Sequence, residues 1–425
     1  MTESIDNLSR ILIIYFITLY FVKDIMNIYQ ILQKRGFIKQ VVFEDDLNKL
    51  LETKKIPFYV GFDPTADSLH IGHYIPIMAM MHMQRAGHIP IILLGGGTGL
   101  IGDPSGKTDL RNFLDDVTTQ NYVNSFKKQI ARFFSFEGKN AALIVDNADW
   151  LKDLNYINFL REIGTHFSVN KMLAADCYKQ RMEKGLTFLE FNYMLLQGYD
   201  FLELYRRHKC LLQIGGNDQW SNILAGADLI RRKERQDAYA LTLPLLLKSD
   251  GSKMGKSSKG ALWLDKDKTS PYEFFQYFRN VEDDKVEECL KLLTFVELDE
   301  ITKLTAHKDQ RMNAAKEVLA YEVTKLIHGA DDANLAKEQA KGAFSDGENM
   351  PTIKLSITLG TPVTDIMVLS KIAVSKSEAR RLIEGGGVKI NDDKVTDCSH
   401  LLSNYTKKSE FILHKGKKVH LKIVL

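Results

Sequence analysis

The sequence predicts an α/β protein in which a doubly wound parallel sheet is followed by an all-helical domain and a small α+β domain. From Ile56 to about Leu247, short apolar strands alternate with helical patterns, which is typical of parallel βαβ units. Ser270 to Glu273 then forms a capping box with proline at the first helical position, and helical periodicity continues to about Phe344. A small basic domain follows.

The elements of the first part alternate regularly along the chain. An amphipathic helix over Ile28–Arg35, closed by Gly36, precedes them. The predicted strands comprise residues 56–62, 89–96, 142–147, 210–216 and 241–247. The predicted helices comprise residues 72–85, 117–134, 188–207 and 218–232. Ligands of such sheets bind at the carboxyl ends of the strands, so we expect the functional site at that edge.

Composition indicates a globular chain with more than one domain. Its 425 residues exceed one ordinary core, and apolar and charged fractions of 44% and 26% disfavour disorder or a membrane-embedded body. The net charge is +3, but residues 351–425 carry 13 Lys or Arg and 7 Asp or Glu, an excess of six. This basic segment predicts a polyanionic partner, with a solubilising surface as the alternative. The four cysteines lack paired spacing, which favours a reducing cytoplasm.

An apolar run from Ile11 to Val22 lies near the start of the chain. Its 12 residues are fewer than the about 20 that span a bilayer, and Lys23 and Asp24 follow in place of a signal-peptide cleavage site. We therefore expect no membrane partner and hypothesise that the functional protein begins at Met26. The predicted divisions are an extension over 1–25, a first domain over 26–269, a helical domain over 270–344, a polar linker over 345–352 and a small domain over 353–425.

Two histidines, His70 and His73, stand three residues apart, after an apolar strand and at the start of a helix. A helix N-terminus offers unpaired N–H groups and a partial positive charge, so a phosphate group fits there. A zinc pair is one alternative, but no third ligand lies nearby in the sequence. A purely structural role is the other.

A second phosphate-binding candidate is the Gly- and Ser-rich segment Asp250–Gly260, which carries Lys253 and Lys256. Flexible lysines on such a loop suit the clamping of a polyphosphate, although a solvated lysine loop is the plain alternative. Gly97–Gly102 matches the dinucleotide fingerprint, but an Asp-Pro pair follows where a helix should run. We therefore disfavour a nicotinamide enzyme.

Together the two segments resemble the signatures of class I aminoacyl-tRNA synthetases. The HIGH tetrapeptide is complete at residues 70–73, and Lys253–Ser257 is similar to KMSKS, with Gly255 in place of the central serine. Four longer motifs, at 61–73, 98–107, 191–201 and 214–220, are similar to the bacterial type of tyrosyl-tRNA synthetase. The resemblance extends from about residue 26 to the end, and the tryptophanyl enzymes are its nearest rival. It implies a Rossmann-like catalytic domain, a helical anticodon-side domain and an RNA-binding domain like that of ribosomal protein S-four.

The side chain of the amino-acid substrate separates these rivals. By resemblance, Tyr59 and Asp200 bind the substrate phenol, whose hydroxyl needs both a donor and an acceptor inside an apolar pocket. Tyr193, Gln197 and Asp200 share one helix face at i, i+4 and i+7. The resemblance further implies that the ammonium and carboxylate groups of tyrosine are bound by Tyr193, Gln197, Asp103 and Gln219.

The resemblance also implies the reaction and the ATP site. Tyrosine carboxylate displaces pyrophosphate from ATP, and the terminal ribose of tRNA then takes the tyrosyl group; Mg²⁺ accompanies ATP, without a tightly bound cofactor or resident metal. The implied ATP-binding residues are Gly61, Asp63, Gly72, Gly215, Asp218, Lys253 and Lys256. The residues implied in stabilising the leaving pyrophosphate are His70, His73, Thr65, Lys253 and Lys256, with Lys107 and Arg111 as weaker candidates. Val60 departs from relatives that carry cysteine there to contact the ribose.

The segment from Val374 to Val388 resembles the small RNA-binding module of ribosomal protein S-four. Cationic side chains there suit the phosphates of tyrosine tRNA. The candidates are Arg380, Arg381, Lys376 and Lys389, with Arg231, Arg232 and Lys233 as candidates for the acceptor arm. The resemblance implies a cytoplasmic homodimer. The contrasting hypothesis, a catalytically silent synthetase-like RNA-binding factor, predicts broken signatures, whereas these signatures are intact.

Overall fold

The computed structural model describes residues 26–105, 114–183, 185–257, 260–342, 352–416 and 419–425. The chain divides into two compact units, one ending at Leu246 and the other spanning Leu247–Leu425. No helix within these ranges is long and apolar enough to cross a membrane. The apolar run before Met26, Lys107, Arg111 and residues 345–351 of the predicted linker lie outside the described residues.

The first unit is built on a six-stranded sheet that is parallel except at one edge. Its strands are β1 (Gln40–Val41), β2 (Pro57–Phe62), β3 (Ile89–Leu94), β4 (Leu143–Asp146), β5 (Leu212–Gly216) and β6 (Tyr239–Leu243). Their order is β1-β6-β5-β2-β3-β4, with β1 antiparallel to β6. The chain winds outward from β2 to β4 and resumes at β5 on the other side of β2. This order confirms the predicted doubly wound fold and places its switch point between β2 and β5.

The helices of the first unit cap and connect these strands. They are α1 (Ile28–Arg35), α2 (Glu44–Thr53), α3 (Ile71–Arg85), α4 (Asp116–Ala131), α5 (Ala148–Leu151), α6 (Tyr156–Glu162), α7 (Val169–Leu173), α8 (Asp176–Met182), α9 (Phe188–His208) and α10 (Trp220–Glu234). The predicted helices at 28–35, 72–85, 117–134 and 188–207 are confirmed to within a few residues. Gly36 closes α1 in the left-handed region at φ 85°.

Two predicted boundaries in the first unit are wrong for local reasons. Helix α10 begins at Trp220 rather than at residue 218, because Asn217–Gln219 forms a 3₁₀ turn. Strand β6 ends at Leu243 rather than at residue 247, because Pro244 has no N–H group with which to continue the ladder. The first correction places the polar residues Asn217–Gln219 in a tight turn at the carboxyl end of β5.

The second unit starts with a short hairpin and a group of helices. Strands β7 (Lys256–Ser257) and β8 (Gly260–Ala261) pair antiparallel. The helices are α11 (Pro271–Arg279), α12 (Val286–Leu293), α13 (Leu298–Leu304), α14 (Met312–His328) and α15 (Ala330–Gly342). The predicted capping box is present, because the Ser270 hydroxyl accepts a hydrogen bond from the Glu273 N–H over 3.3 Å. The predicted all-helical stretch is therefore confirmed.

Residues 247–269 belong to the second compact unit, although the sequence pattern places them in the first domain. Their contacts explain the difference. The Sδ atom of Met254 lies 3.8 Å from the Sγ atom of Cys289, and the Gly255 N–H donates to the Tyr277 hydroxyl over 2.7 Å. The segment follows β6 in sequence, but it packs against helices α11 and α12.

The C-terminal part of the second unit is a five-stranded sheet with two helices. The strands are β9 (Thr352–Lys354), β10 (Val388–Ile390), β11 (Asp393–Lys394), β12 (Glu410–Lys415) and β13 (Val419–Val424). Their order is β11-β10-β12-β13-β9, antiparallel except between β13 and β9. Helices α16 (Val363–Leu369) and α17 (Lys376–Glu384) precede β10, and Gly386 turns at φ 70° between α17 and β10. This is the predicted α+β arrangement of helix, glycine turn and hairpin.

Candidate active site

His70 and His73 hold each other at the start of α3. Nδ1 of His70 accepts a hydrogen bond from the Gly72 N–H over 3.0 Å, and Nδ1 of His73 accepts from the His70 N–H over 3.1 Å. The two rings stack with their centroids 4.0 Å apart. Because both Nδ1 atoms accept, each neutral ring carries its proton on Nε2 and presents that atom as a donor. The pair therefore combines a helix cap with two oriented N–H groups.

Gly72 is needed for this cap to form. A Cβ atom at position 72 would lie 2.8 Å from Cε1 and 3.0 Å from Nδ1 of His70, which is closer than carbon atoms pack. Any side chain there would push the imidazole out of its capping position. Gly72 of the signature thus leaves room for the His70 imidazole to cap the helix.

Asp63 joins three elements at the carboxyl end of β2. The Thr98 hydroxyl donates to its Oδ1 atom over 2.8 Å, and the Tyr193 hydroxyl donates to its Oδ2 atom over 2.9 Å. A Cβ on Gly95 would lie only 2.1 Å from Oδ1 of Asp63, so the backbone after β3 approaches this carboxylate closely. Two predicted site residues, Asp63 and Tyr193, are brought into direct contact. Thr65, also predicted, is exposed and its N–H donates to the Asp63 carbonyl over 2.9 Å.

Asp200 is a buried member of the same hydrogen-bond network. Its side chain is only 2% exposed, and it accepts hydrogen bonds from Nε1 of Trp150 over 2.8 Å and from Nδ2 of Asn147 over 2.9 Å. Burial raises the pKa of the Asp200 carboxyl to about 8, although the two N–H donors act in the opposite direction. Asn147 also donates to Thr98, which connects Asp200 to Asp63.

Three buried polar atoms nearby have no hydrogen-bond partner among the described residues. They are the Tyr59 hydroxyl, Oε1 of Gln197 and Oε1 of Gln213. Tyr59 is 1% exposed, and its Cα is the cross-strand partner of Gln213 between β2 and β5. Burial, followed by the nearby Asp200 carboxyl, raises the pKa of Tyr59 well above its usual range, so the phenol keeps its proton. Unpaired polar atoms in a protein interior call for a ligand or a functional explanation.

Asp103 and Gln219 meet across the loop after β3 and the turn after β5. Nε2 of Gln219 donates to Oδ2 of Asp103 over 2.6 Å, and Oδ1 of Asp103 accepts from the Ser105 N–H over 2.9 Å. Asn222 supports both segments by donating to the Ser105 hydroxyl and to Oε1 of Gln219. The sequence predicts both Asp103 and Gln219 as site residues, and the structure brings them together.

Gly215 and Asp218 lie where β5 enters its 3₁₀ turn. A Cβ on Gly215 would come within 3.0 Å of Ile223, and one on Gly216 would lie 2.5 Å from Oδ1 of Asp218. Both positions are therefore closely packed against neighbouring side chains, and glycine is the residue that fits them. Asp218 is exposed beside the switch point of the sheet, as is Gly61 at the end of β2.

The lysine loop is anchored within the second unit. Lys253 is exposed and its backbone bridges to Leu247, while Met254 is buried. Gly255 adopts φ 87°, a left-handed conformation that favours glycine over serine. Its N–H donates to Tyr277, so the departure from the class signature follows from the local backbone. Lys256 begins β7 directly after this anchor.

The predicted RNA-binding side chains are exposed. Arg380 and Arg381 lie in α17, which Ser375 caps, and Lys389 lies in β10. Lys376 forms an ion pair with Asp365 at 2.7 Å, which leaves it less accessible to a phosphate than the two arginines. In α10, Arg231 pairs with Asp228 at 2.6 Å, Arg232 donates to the His166 carbonyl over 2.7 Å and Lys233 donates to the Glu162 carbonyl over 3.4 Å.

Sequence reasoning missed four buried polar residues of the site, Thr98, Asn147, Trp150 and Gln213. Asn147 directly follows β4, and a polar residue at the carboxyl end of a parallel strand is a signal that could have found it. Trp150 carries no comparable signal, because a tryptophan next to a strand is ordinarily part of a core.

The comparisons with known proteins agree over nearly the whole chain. Residues 51–345 match the family model for class I tRNA synthetases (W and Y), and residues 342–423 match the tyrosine–tRNA ligase SYY-like C-terminal domain. The chain therefore belongs to the class I tRNA synthetase family of the W and Y type. Within that family it is similar to the tyrosine–tRNA ligase of Clostridium kluyveri, with 57% identity over 94% of this chain and 99% of the relative. The ligase of Clostridium tetani is 55% identical over the same shares.

Solved structures agree with this assignment. A C-terminally truncated mitochondrial tyrosyl-tRNA synthetase from Aspergillus nidulans is 30% identical, covers 74% of this chain and 94% of its own, and has a TM-score of 0.68. The tyrosyl-tRNA synthetase from Archaeoglobus fulgidus, crystallised with L-tyrosine, is 18% identical with a TM-score of 0.56 over 73% of this chain and 100% of its own, and it supports the fold alone. The resemblance to bacterial-type tyrosyl-tRNA synthetases is thereby confirmed.

Proposed function

We propose that the chain is a tyrosine–tRNA ligase that first forms tyrosyl-adenylate and pyrophosphate from tyrosine and ATP, and then transfers the tyrosyl group to the 3′-terminal adenosine of tyrosine tRNA. The observation that carries the choice of amino acid is the buried pair of Tyr59, whose hydroxyl lacks a partner among the described residues, and Asp200, whose two oxygens are held by Trp150 and Asn147. Curated relatives from Clostridium at 54–57% identity are tyrosine–tRNA ligases.

The pair matches a phenol better than it matches any competing side chain. The substrate hydroxyl donates to Asp200 and accepts from the Tyr59 hydroxyl, which satisfies both groups. Phenylalanine would leave both buried groups unpaired, and tyrosyl-tRNA synthetase is itself the standard example of this kind of rejection. An indole N–H can donate but cannot accept, so tryptophan would leave the Tyr59 hydroxyl unpaired.

The other end of the substrate is bound by the remaining predicted residues. Tyr193, Gln197, Asp103 and Gln219 receive the ammonium group and position the carboxylate, and Asp63 orients Tyr193 through the 2.9 Å hydrogen bond between them. Gly61, Gly72, Gly215 and Asp218 line the ATP site, where glycines let the backbone approach the nucleotide. ATP binds as its Mg²⁺ complex, since Mg²⁺ is a ligand of substrate phosphates in such sites.

Catalysis of the first step rests on positioning and on donors aimed at the leaving group. A carboxylate that attacks a polyanion is repelled by like charge, so the enzyme must hold the reactants in line and neutralise charge that develops on pyrophosphate. The Nε2–H donors of His70 and His73, the hydroxyl of Thr65 and the ammonium groups of Lys253 and Lys256 supply this neutralisation. Neither step needs a covalent intermediate on the enzyme.

The tRNA is bound through basic surfaces of both units. Arg380, Arg381 and Lys389, with Lys376 as a weaker member, neutralise phosphates from the C-terminal domain. Arg231, Arg232 and Lys233 on α10 contact the acceptor arm. The four cysteines are all free thiols, which supports a cytoplasmic location.

The enzyme works as a homodimer. Its contact surface is formed by the stretch of chain that runs from α6 to α9. Large apolar side chains are exposed in this stretch, including Phe188 at 70% and Ile157 at 62%. A contiguous patch of exposed apolar side chains marks an interaction surface, and we infer that these side chains form such a patch. Phe188→Glu places a carboxylate at the N-terminus of α9, where the helix dipole favours it, so folding should persist. Sedimentation should then report a monomer; an unchanged dimer would refute this surface.

Tyrosine-dependent exchange between ATP and pyrophosphate tests the proposal directly. An active ligase exchanges label only when tyrosine is present, and phenylalanine and tryptophan should not support exchange at comparable concentrations. A catalytically silent RNA-binding factor would bind tRNA and show no exchange with any amino acid. That result would overturn the proposed function.

A further inference from the structure

Gln40 lies on the edge strand of the first unit and is 177 residues from Asn217, the site residue that its side chain contacts. Strand β1 is fixed to β6 by the Lys39 N–H, which donates to the Thr242 carbonyl over 2.8 Å, and by the Val42 N–H, which donates to the Ala240 carbonyl over 3.0 Å. In this register Gln40 is directly opposite Thr242. The backbone at Gln40 is therefore held at the edge of the catalytic sheet.

The side chain of Gln40 reaches the turn that follows β5. Its Nε2 atom donates to Oδ1 of Asn217 over 2.7 Å, and the hydroxyl of the fully buried Thr242 donates to the same oxygen over 3.2 Å. Two donors from two different strands thus converge on one amide oxygen. Such an arrangement fixes both the position of Asn217 and the orientation of its amide.

Asn217 opens the 3₁₀ turn Asn217–Gln219, which carries two of the predicted substrate-binding residues. Its far end is held by the 2.6 Å hydrogen bond from Gln219 to Asp103. Asp218 lies between these two held ends, and its side chain is exposed. A three-residue turn has few internal hydrogen bonds, so its conformation depends on what holds its ends.

We propose that Gln40 is a positioning residue for the ATP site. Through its hydrogen bond to Asn217, Gln40 fixes the orientation of the Asp218 side chain. This inference rests on the proposed function, in which Asp218 binds the ATP ribose. Gln40 precedes the segment 51–345 that matches the synthetase family model, so that match does not assign it a role. The N-terminal strand thereby contributes to the nucleotide site as well as to the sheet edge.

The test compares Gln40→Met, which keeps the length of the side chain and removes its donor, with the wild-type chain. In pyrophosphate exchange, the KM for ATP should rise about three- to tenfold, the range for one lost hydrogen bond, while the KM for tyrosine changes less than about twofold. Gln33→Met is the matched control, because Gln33 lies in α1 and its amide donates to Glu44 over 3.5 Å, away from the turn after β5. A structural defect alone would lower the melting temperature without separating the two KM values.

A double-mutant cycle shows whether the effect passes through Asn217. Asn217→Ala should itself raise the KM for ATP, and adding Gln40→Met to it should have no further effect. Additive effects, or an unchanged KM for ATP in a folded Gln40→Met variant, would overturn the inference. If the wild-type chain shows no tyrosine-dependent exchange, the proposed function fails instead. Binding of a non-hydrolysable ATP analogue to the same variants then still decides the role of Gln40.

Discussion

The indole Nε1 of Trp150 donates a 2.8 Å hydrogen bond to Oδ1 of Asp200, which is the carboxylate we propose for phenol recognition. Trp150→Phe keeps an aromatic ring near the guanidinium of Arg207, which lies 5.1 Å from the Trp150 ring centroid, and removes the donor together with the second ring of the indole. Loss of a hydrogen bond to a charged group should raise the KM for tyrosine about tenfold or more. Exchange kinetics with tyrosine and phenylalanine measure this change.

Selectivity should fall together with tyrosine affinity, because Asp200 is then free to turn away from the phenol. Trp263→Phe is the matched control, since Trp263 lies in the second unit and has no role in this network. Unchanged tyrosine kinetics in Trp150→Phe would show that Asn147 alone suffices to hold Asp200.

The raised pKa of Asp200 predicts a pH dependence of tyrosine binding. Burial raises the pKa of this carboxyl to about 8, so it is protonated in the free protein below that pH. The substrate phenol donates to the ionised carboxylate, so binding releases a proton and the Kd should fall as pH rises from 6 to 8, by up to about tenfold per unit. Calorimetry in two buffers with different ionisation enthalpies measures the released proton.

The raised pKa of Asp200 also makes the free energy of unfolding depend on pH, so that stability falls as pH rises. The pKa of Asp200 in the folded state exceeds the ordinary carboxyl value near 3.8. The stability that Asp200 contributes is therefore fully present below pH 3.8, and it is lost as the pH rises through about 8. Asp200→Asn should flatten both the binding and the stability profiles between these limits. Proton release on tyrosine binding that persists in Asp200→Asn would assign it to another group.

His73 is predicted to act on the transition state rather than on tyrosine binding. His73→Asn retains an oxygen that can accept the His70 N–H, so the start of α3 should survive. Loss of the Nε2 donor should slow adenylate formation by roughly 3 kcal/mol, typical of one transition-state donor, with little change in tyrosine affinity. Single-turnover rapid quench with saturating tyrosine measures this step, and an equal loss of tyrosine affinity would contradict the assignment.

Tyr277 is predicted to position the lysine loop. Tyr277→Phe removes the acceptor of the Gly255 N–H, which leaves the left-handed glycine and the following Lys256 less restrained. We expect faster tryptic cleavage within the loop and adenylate formation slowed about two- to tenfold, as for one neutral hydrogen bond. Tyr272→Phe on the same helix is the control, because its hydroxyl contacts Gln276 instead. Equal cleavage rates in both variants would exclude the role.

A local motif made the geometry at the start of α3 predictable from the sequence. His70, Gly72 and His73 contact one another within one helical turn. Their spacing in the sequence is therefore enough to predict a capped helix N-terminus that suits a phosphate group. The anchor of Gly255 was not predictable, because Tyr277 follows it by 22 residues on a helix that the sequence pattern places in another domain.

Contacts between distant strands were harder still to predict. Trp150 and Asp200 are 50 residues apart, and Gln40 and Asn217 are 177 apart, so only the assembled sheet brings each pair together. Tyr59 shows another limit of prediction from the sequence. Its position in an apolar strand is typical of a core residue, so the pattern alone does not mark it as a site residue. Its predicted role came from the family resemblance, and only the folded structure shows that its hydroxyl has no hydrogen-bond partner among the described residues.

Arg380 and Arg381 are predicted to bind tRNA without any part in tyrosine activation. Replacing both with Gln removes two charges from the exposed face of α17 and should leave pyrophosphate exchange unchanged. Tyrosylation should weaken through the KM for tRNA, and the slope of log affinity against log salt should fall by about one for each phosphate that is no longer neutralised. Lys407 and Lys408, both exposed in the same domain, provide the control when they are replaced with Gln, because they remove equal charge outside the proposed surface. Equal losses in both double variants would mean that net charge, rather than the α17 surface, binds the tRNA.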